Sequence, residues 1–279
     1  MILSFGPEPG TFTPMALALT LPSVLALTCY LAAAIPSERF SSGLRTALLV
    51  GWLAQGVSIV IDLAGIGSGR PGVRFGFAPA LSVTIWFVLA VYELESRLVP
   101  LAGARRALAS LGAAVVVLAW LFPGQVHPQA ASVWAPLHWL LGVASYGLFG
   151  VAVLHALFLN RAERQMKRTP SLTDPAPSGV PLLHLERLTF RFVGAGFVVL
   201  SAAIALGFWF SDRWRWDHKS VFSVLGWLVF AGLLAGRRAF GWRGVNATRG
   251  VYAGAVLLLL AYVGSRFVLE VVLHRPPAV

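Results

Sequence analysis

The chain has 279 residues, of which 57% are hydrophobic and only 12% charged, whereas a soluble domain carries roughly a quarter charged residues. That balance excludes an ordinary soluble protein and predicts an all-α integral membrane protein. The net charge of +11 would elsewhere suggest a nucleic-acid partner, but the cations gather in alternate loops, so no such partner is expected.

Crossing ~30 Å of hydrocarbon takes ~20 mainly apolar residues, because a segment in lipid must satisfy its own backbone polar groups. Such runs predict eight helices, over residues 14–35, 44–65, 77–94, 107–122, 133–159, 190–210, 221–234 and 251–273. The fourth and seventh runs are short for a bilayer, so their ends are expected to recruit neighbouring residues. The fifth is longer than needed, and its first turns are expected to stand clear of the hydrocarbon. No Lys or Arg precedes the first run and no small-residue cleavage site follows it, so it reads as a retained helix. Its Cys29 is the only cysteine, which excludes a disulfide framework, a CxxC redox pair and a CxxCH haem-attachment site.

Arg39 and Arg45 lie in the first connector, Arg97, Arg105 and Arg106 in the third, Arg161 to Arg191 around the fifth, and Arg237, Arg238, Arg243 and Arg249 in the seventh. Positive residues are retained in the cytoplasm, which places the odd-numbered loops inside and both termini outside. The hydrophobic pattern breaks only over 160–186, a charged helical extension followed by a Pro, Ser, Thr and Gly cluster that reads as a cytoplasmic loop. No repeat relates the two groups of helices, and 1–279 is expected to pack as a single polytopic domain. Gly232 with Gly236 and Gly250 with Gly254 fit close helix approach.

This topology sorts the unusual residues by side. His127, His138, His218 and His274 fall at the external face, with Trp134, Trp139, Trp209, Trp214 and Trp216, whereas His184 is cytoplasmic and His155 lies near the cytoplasmic end of the fifth helix. Interfacial belts account for tryptophans in general. The connector DRWRWDHKS, 212–220, is denser than a belt requires: Trp214 and Trp216 alternate with Arg213 and Arg215 and lead into Asp217, His218 and Lys219. On the fifth helix His138, Gly142, Ser145, Tyr146 and Phe149 share a face, and Gly142 and Ser145 leave space beside the imidazole for a flat ligand or another helix. On the eighth, Arg266, Glu270 and His274 form a polar stripe that Asp62 could join, most simply as a structural ion pair. Imidazole ligates haem iron, and a porphyrin needs aromatic or apolar surface for its faces and cations for its propionates. No nucleophile and base arrangement, HExxH, P-loop or dinucleotide glycine pattern is present.

WRWDHKSVFSVLGWLVF, 214–230, resembles the tryptophan-rich signature of the CcsA/ResC/CcmC cytochrome c assembly proteins. Trp214, Trp216, Asp217 and Lys219 match, while Phe210 and Ser211 stand where that signature has Trp and Gly, and His218 where proline is usual. APLHWLLGVASYGLFGVAVLHALFL, PLLHLERLTFRFVGAGFVVL, GWRG and LAYVGSRFVLEVVL follow in the order of its compact, eight-helix YpjD/HemX-like branch. The resemblance covers 133–279 well, and the first four helices match in hydropathy and order only.

The resemblance implies a haem-handling protein of the bacterial inner membrane that presents haem externally, with apocytochrome c or another membrane assembly subunit as partner. His138 matches the first flanking histidine of the family, and His274 or His218 would supply the second metal ligand. Trp214, Trp216 and Tyr146 would give porphyrin surface and Arg213 or Arg215 would pair propionates. Asp217 and Lys219 are expected chiefly to fix the loop and start the next helix. The competing expectation is a scaffold or regulatory subunit that keeps the fold without haem. A transporter with polar groups at mid-membrane ranks below both.

Overall fold

The computed structural model describes residues 14–36, 41–64, 66, 73–96, 104–127, 134–166, 182–210 and 216–272. They form eight helices: α1 (Pro14–Ala34), α2 (Ser41–Leu63), α3 (Phe77–Glu95), α4 (Ala104–Leu121), α5 (Trp134–Met166), α6 (Leu182–Phe210), α7 (His218–Phe240) and α8 (Gly244–Leu259). Seven helical segments are long and apolar enough to cross a membrane, and the described apolar part of α1 is Thr20–Ala34. The chain is thus an all-α integral membrane protein, as its composition predicts. Two short strands, β1 (Val73–Phe75) and β2 (Gln125–His127), pair antiparallel with Val73 opposite His127.

Most helix ends fall within a few residues of the hydropathy pattern, and the exceptions have local causes. α7 runs past its apolar stretch to Phe240, carrying Arg237 and Arg238 in its last turn, where cations complement the helix dipole. Gly241 ends it in the left-handed conformation at φ 65°, and its N–H reaches back to the Arg237 carbonyl. α6 begins at Leu182, so the first residues of LLHLER, assigned above to the cytoplasmic loop, are helical. There Glu186 accepts from Arg237 Nη1 at 2.8 Å, and the guanidinium lies 3.6 Å from the Phe190 ring centroid. α8 continues through a π-helical turn (Leu260–Gly264), a short α-helical turn (Ser265–Phe267) and a second π-helical turn (Val268–Val272).

Two apolar cores share α5. The first joins α1 to α4 around Tyr30, Leu48, Leu89 and Val151, and the second joins α5 to α8 around Phe149, Phe230, Leu233 and Leu258. The first is keyed by polar groups that hydropathy does not reveal. The buried Tyr30 hydroxyl donates to Gln55 Oε1 at 2.5 Å, and Gln55 Nε2 donates to Ser82 Oγ at 2.9 Å, tying α1, α2 and α3 together. Trp52 and Trp86 stack at 5.0 Å and exchange bonds, each indole N–H donating to the other's carbonyl. In the second core Phe149 and Phe230 stack at 3.9 Å, and Phe230 fills the notch at Gly254, where a Cβ would meet its ring at 2.6 Å. Gly250 likewise faces Leu233, whereas nothing lies within 4 Å of a Cβ at Gly232, so only part of the small-residue pattern serves this interface.

Candidate functional site

A cavity of about 100 Å³ opens where the N-terminal end of α5, the C-terminal end of α6, the N-terminal end of α7 and the π-helical turn after α8 converge. His138, Trp139, Gly142, Ser145 and Tyr146 line it from α5, Ala203 and Ile204 from α6, Lys219 and Ser223 from α7, and Leu258 and Tyr262 from the last helix. Four of the five residues assigned to the His138 face therefore meet one space, while Phe149 turns into the second core. His138 Nδ1 lies 2.9 Å from the Ala203 carbonyl. A carbonyl only accepts, so Nδ1 carries the proton, and the neutral ring then holds its lone pair on Nε2.

Glycines on two helices shape the space around this ring. A Cβ at Gly207, one turn beyond Ala203, would come within 2.9 Å of His138 Cε1, so the imidazole approaches α6 where no side chain stands in its way. At Gly142 a Cβ would meet nothing within 4 Å, which leaves the open volume that the sequence pattern predicts. The Tyr146 hydroxyl donates to the Leu258 carbonyl just ahead of the π-helical turn. Tyr146, Leu258 and Thr84 also line a second, largely apolar cavity of about 470 Å³ among α3, α4, α5 and α8. The Tyr146–Leu258 bond thus stands in the wall between the two spaces.

The tryptophan loop sits differently. Trp216 is 71% exposed and lines a separate shallow groove of about 420 Å³ with Ser201, Ala205, Phe208 and Trp227. Ile204 borders both groove and cavity, so Trp216 and His138 line adjoining spaces that meet at α6 and do not share one. Trp214, Arg213, Arg215 and His274 lie outside the described residues. Asp217 is the N-cap of α7, its carboxylate accepting the Ser220 N–H at 2.8 Å, and His218 is the exposed first residue of that helix. Trp134 and Trp209, exposed near helix ends, suit an interfacial belt.

A family described as Cytochrome C assembly protein matches residues 44–273. The chain belongs to the cytochrome c assembly family. An uncharacterized 28.8 kDa protein of Azospirillum brasilense is 34% identical over 155 residues, which cover 53% of this chain and 56% of that one. Inner membrane protein YpjD of Escherichia coli K12 is 33% identical over 140 residues, 49% of this chain and 52% of its own. A cytochrome c biogenesis protein CcsA from Synechococcus sp. strain JA-3-3Ab is 31% identical over 105 residues, 34% of this chain and 30% of its own. The chain therefore spans about half the length of the first of these curated relatives. No solved structure matches it significantly.

The sequence pattern singles out neither Gly207, which packs against the His138 ring, nor Tyr262, and it assigns Lys219 to the loop and not to the cavity it lines. Gly207 is a lone glycine in ALGFWF whose only signal is its place four residues after Ala203. Tyr262 and Lys219 become neighbours only through the approach of α7 to the π-helical turn, with Lys219 Nζ 5.7 Å from the Tyr262 ring centroid. His155, by contrast, is 1% exposed and committed to structure: Nδ1 donates to Val151 at 2.9 Å, Nε2 lies 2.8 Å from Glu95 Oε2, and Phe192 stacks on its ring. Asp62 lines a cavity of about 240 Å³ among α1 to α4 with Gln55 and Ser58. The Glu270 side chain lies outside the described residues, and among those described no group of three His, Cys, Asp or Glu is placed to hold a metal ion.

Proposed function

We propose that this chain handles haem during cytochrome c assembly, presenting it at the external face of a bacterial inner membrane with His138 as an iron ligand. The reading is carried by one observation: in a member of this family, the His138 imidazole is fixed by the Ala203 carbonyl in the tautomer whose Nε2 lone pair can ligate iron, beside a cavity. A second-shell hydrogen bond of this kind is how proteins hold an imidazole for a metal. Relatives named CcsA and YpjD support the assembly role and the membrane. Arg161, Arg164, Arg237, Arg238, Arg243 and Arg249 gather at the opposite end of the helices from His138, which supports an external His138 under the positive-inside rule.

The residues around His138 fit haem in kind. They supply an imidazole, the tyrosine rings of Tyr146 and Tyr262, an apolar lining and the Lys219 ammonium. Haem as cargo supplies the iron that imidazole coordinates. The enclosed volume of about 100 Å³ is small beside the ~300–1,000 Å³ of ligand pockets, so it suits an edge of the porphyrin and not the whole disc. The remaining surface would come from DRWRWDHKS: Trp214 and Trp216 as aromatic platform, Arg213 or Arg215 for propionates, and His274 or His218 as second ligand. Asp217 acts through the loop, as the cap of α7. Apocytochrome c or a membrane assembly subunit would receive the haem.

The separation of Trp216 from His138 and the small cavity favour one alternative, a scaffold or regulatory subunit that retains the fold without haem. Visible absorption and a pyridine haemochrome assay on protein purified from haem-replete cells distinguish the two. Near-stoichiometric haem, lost in His138→Ala with the membrane-inserted protein intact, is the expected result. Unchanged haem in His138→Ala would remove His138 from the assignment, and wild-type protein that neither carries nor takes up haem would establish the scaffold alternative.

A further inference from the structure

One aromatic ring beside the His138 cavity faces two cations. Tyr262 lies in the π-helical turn and lines the cavity, with Lys219 Nζ 5.7 Å and Arg266 Cζ 5.9 Å from its ring centroid. A ring quadrupole attracts a cation but does not neutralise it, so two positive groups at one ring repel each other unless an anion stands between them. Arg266 Nη1 is also buried, with no hydrogen-bond partner among the described residues. A buried guanidinium nitrogen that donates to nothing is costly, and such an atom calls for an explanation.

The protein's own acids do not answer this among the described residues. Asp217 is the acid next to Lys219 in the chain, but its carboxylate caps α7 through the Ser220 N–H. Neither Lys219 nor Arg266 forms an ion pair with a described carboxylate. Lys219 is accessible, so it stands where a ligand group entering the cavity passes.

We propose that Lys219 and Arg266 form an oxyanion-binding site at the mouth of the His138 cavity, taking a carboxylate or phosphate of an amphipathic ligand. Arg266 donates through its buried Nη1, Lys219 binds the same anion from the accessible side, and the Tyr262 ring forms the apolar wall. Two sources present this chemistry at a membrane face. One is a porphyrin carboxylate, which rests on the haem reading above. The other is an anionic phospholipid headgroup, which does not.

The test uses full-length protein in nanodiscs as wild type, Arg266→Gln, Lys219→Gln and the charge-retaining Arg266→Lys. Hemin is titrated against hemin dimethyl ester, and phosphatidylglycerol retention is measured by mass spectrometry after exchange into phosphatidylcholine. A wild-type preference for free-acid hemin of roughly tenfold, lost in both Gln variants and kept in Arg266→Lys, identifies the porphyrin carboxylate. Phosphatidylglycerol retention lost in the same two variants identifies the lipid phosphate. A wild type with neither preference, or variants that keep those it has, overturns the site. If neither porphyrin form binds at all, the haem reading fails while the lipid measurement still decides the oxyanion site. Lys219→Gln alters an accessible side chain, so it decides the matter even if Arg266→Gln does not fold.

Discussion

Gly207→Ala is the most direct perturbation of the His138 site, because it adds one methyl group and removes no functional atom. Its Cβ would sit 2.9 Å from His138 Cε1 and 3.2 Å from Nδ1, closer than such atoms settle, so the ring must tilt or α5 must move away from α6. Overpacking of this size costs about 1–3 kcal/mol. Loss of the 2.9 Å bond to Ala203 would cost about 1 kcal/mol more, while replacing a helical glycine by alanine returns ~0.8–1 kcal/mol. The fold should therefore lose only about 1–3 kcal/mol, whereas the direction of the Nε2 lone pair changes outright. Hemin titration followed in the Soret band should show binding weaker by about tenfold or more, with the helical circular dichroism signal retained. Gly142→Ala is the matched control, since its methyl group meets nothing within 4 Å and should leave the ring in place. A Gly207→Ala protein with wild-type hemin affinity and melting temperature would refute the placement of His138 against α6.

Gln55→Leu should destabilise the first core by about 1–3 kcal/mol, since it leaves the buried Tyr30 hydroxyl and the Ser82 hydroxyl without their shared partner. Thermal unfolding in detergent should show the loss, with hemin binding at His138 unchanged in the folded protein. Asp217→Ala removes the cap of α7 and should cost about 0.5–2 kcal/mol, whereas Asp217→Asn or Asp217→Ser should restore most of it in the same assay.

Helix number and order were legible because lipid imposes a single demand on every spanning segment, and eight apolar runs answer it. The ends were less legible where charged residues belong to a helix for reasons of partnership. α6 starts at Leu182 because Glu186 meets Arg237 across the bundle, and α7 continues because Arg237 and Arg238 suit a helix C-terminus. Within the site, the face from His138 to Tyr146 followed from helical periodicity. Its counterparts on α6, α7 and the last helix did not, since Gly207, Lys219 and Tyr262 share no spacing rule with His138. The distribution of cations among the loops also placed Trp216 and His138 at one end of the bundle without showing that they would line different spaces. Gln55 escaped notice because a single uncharged polar residue barely lowers the hydropathy of a span.

The π-helical turn at Leu260–Gly264 bears on how this chain is aligned with its relatives. Where the Ser265 N–H reaches back five residues to the Leu260 carbonyl, that turn spends one more residue than an α-helical turn and closes a larger hydrogen-bonded ring. Side chains beyond it are rotated about the axis relative to an uninterrupted α-helix. Arg266 therefore faces the Tyr262 ring partly because of how many residues precede it, and not only because it is an arginine. A relative that shortens this turn by one residue would carry its cation to another face even with every letter otherwise preserved. Tracing this position through the family thus calls for matching backbone register first and residue identity second.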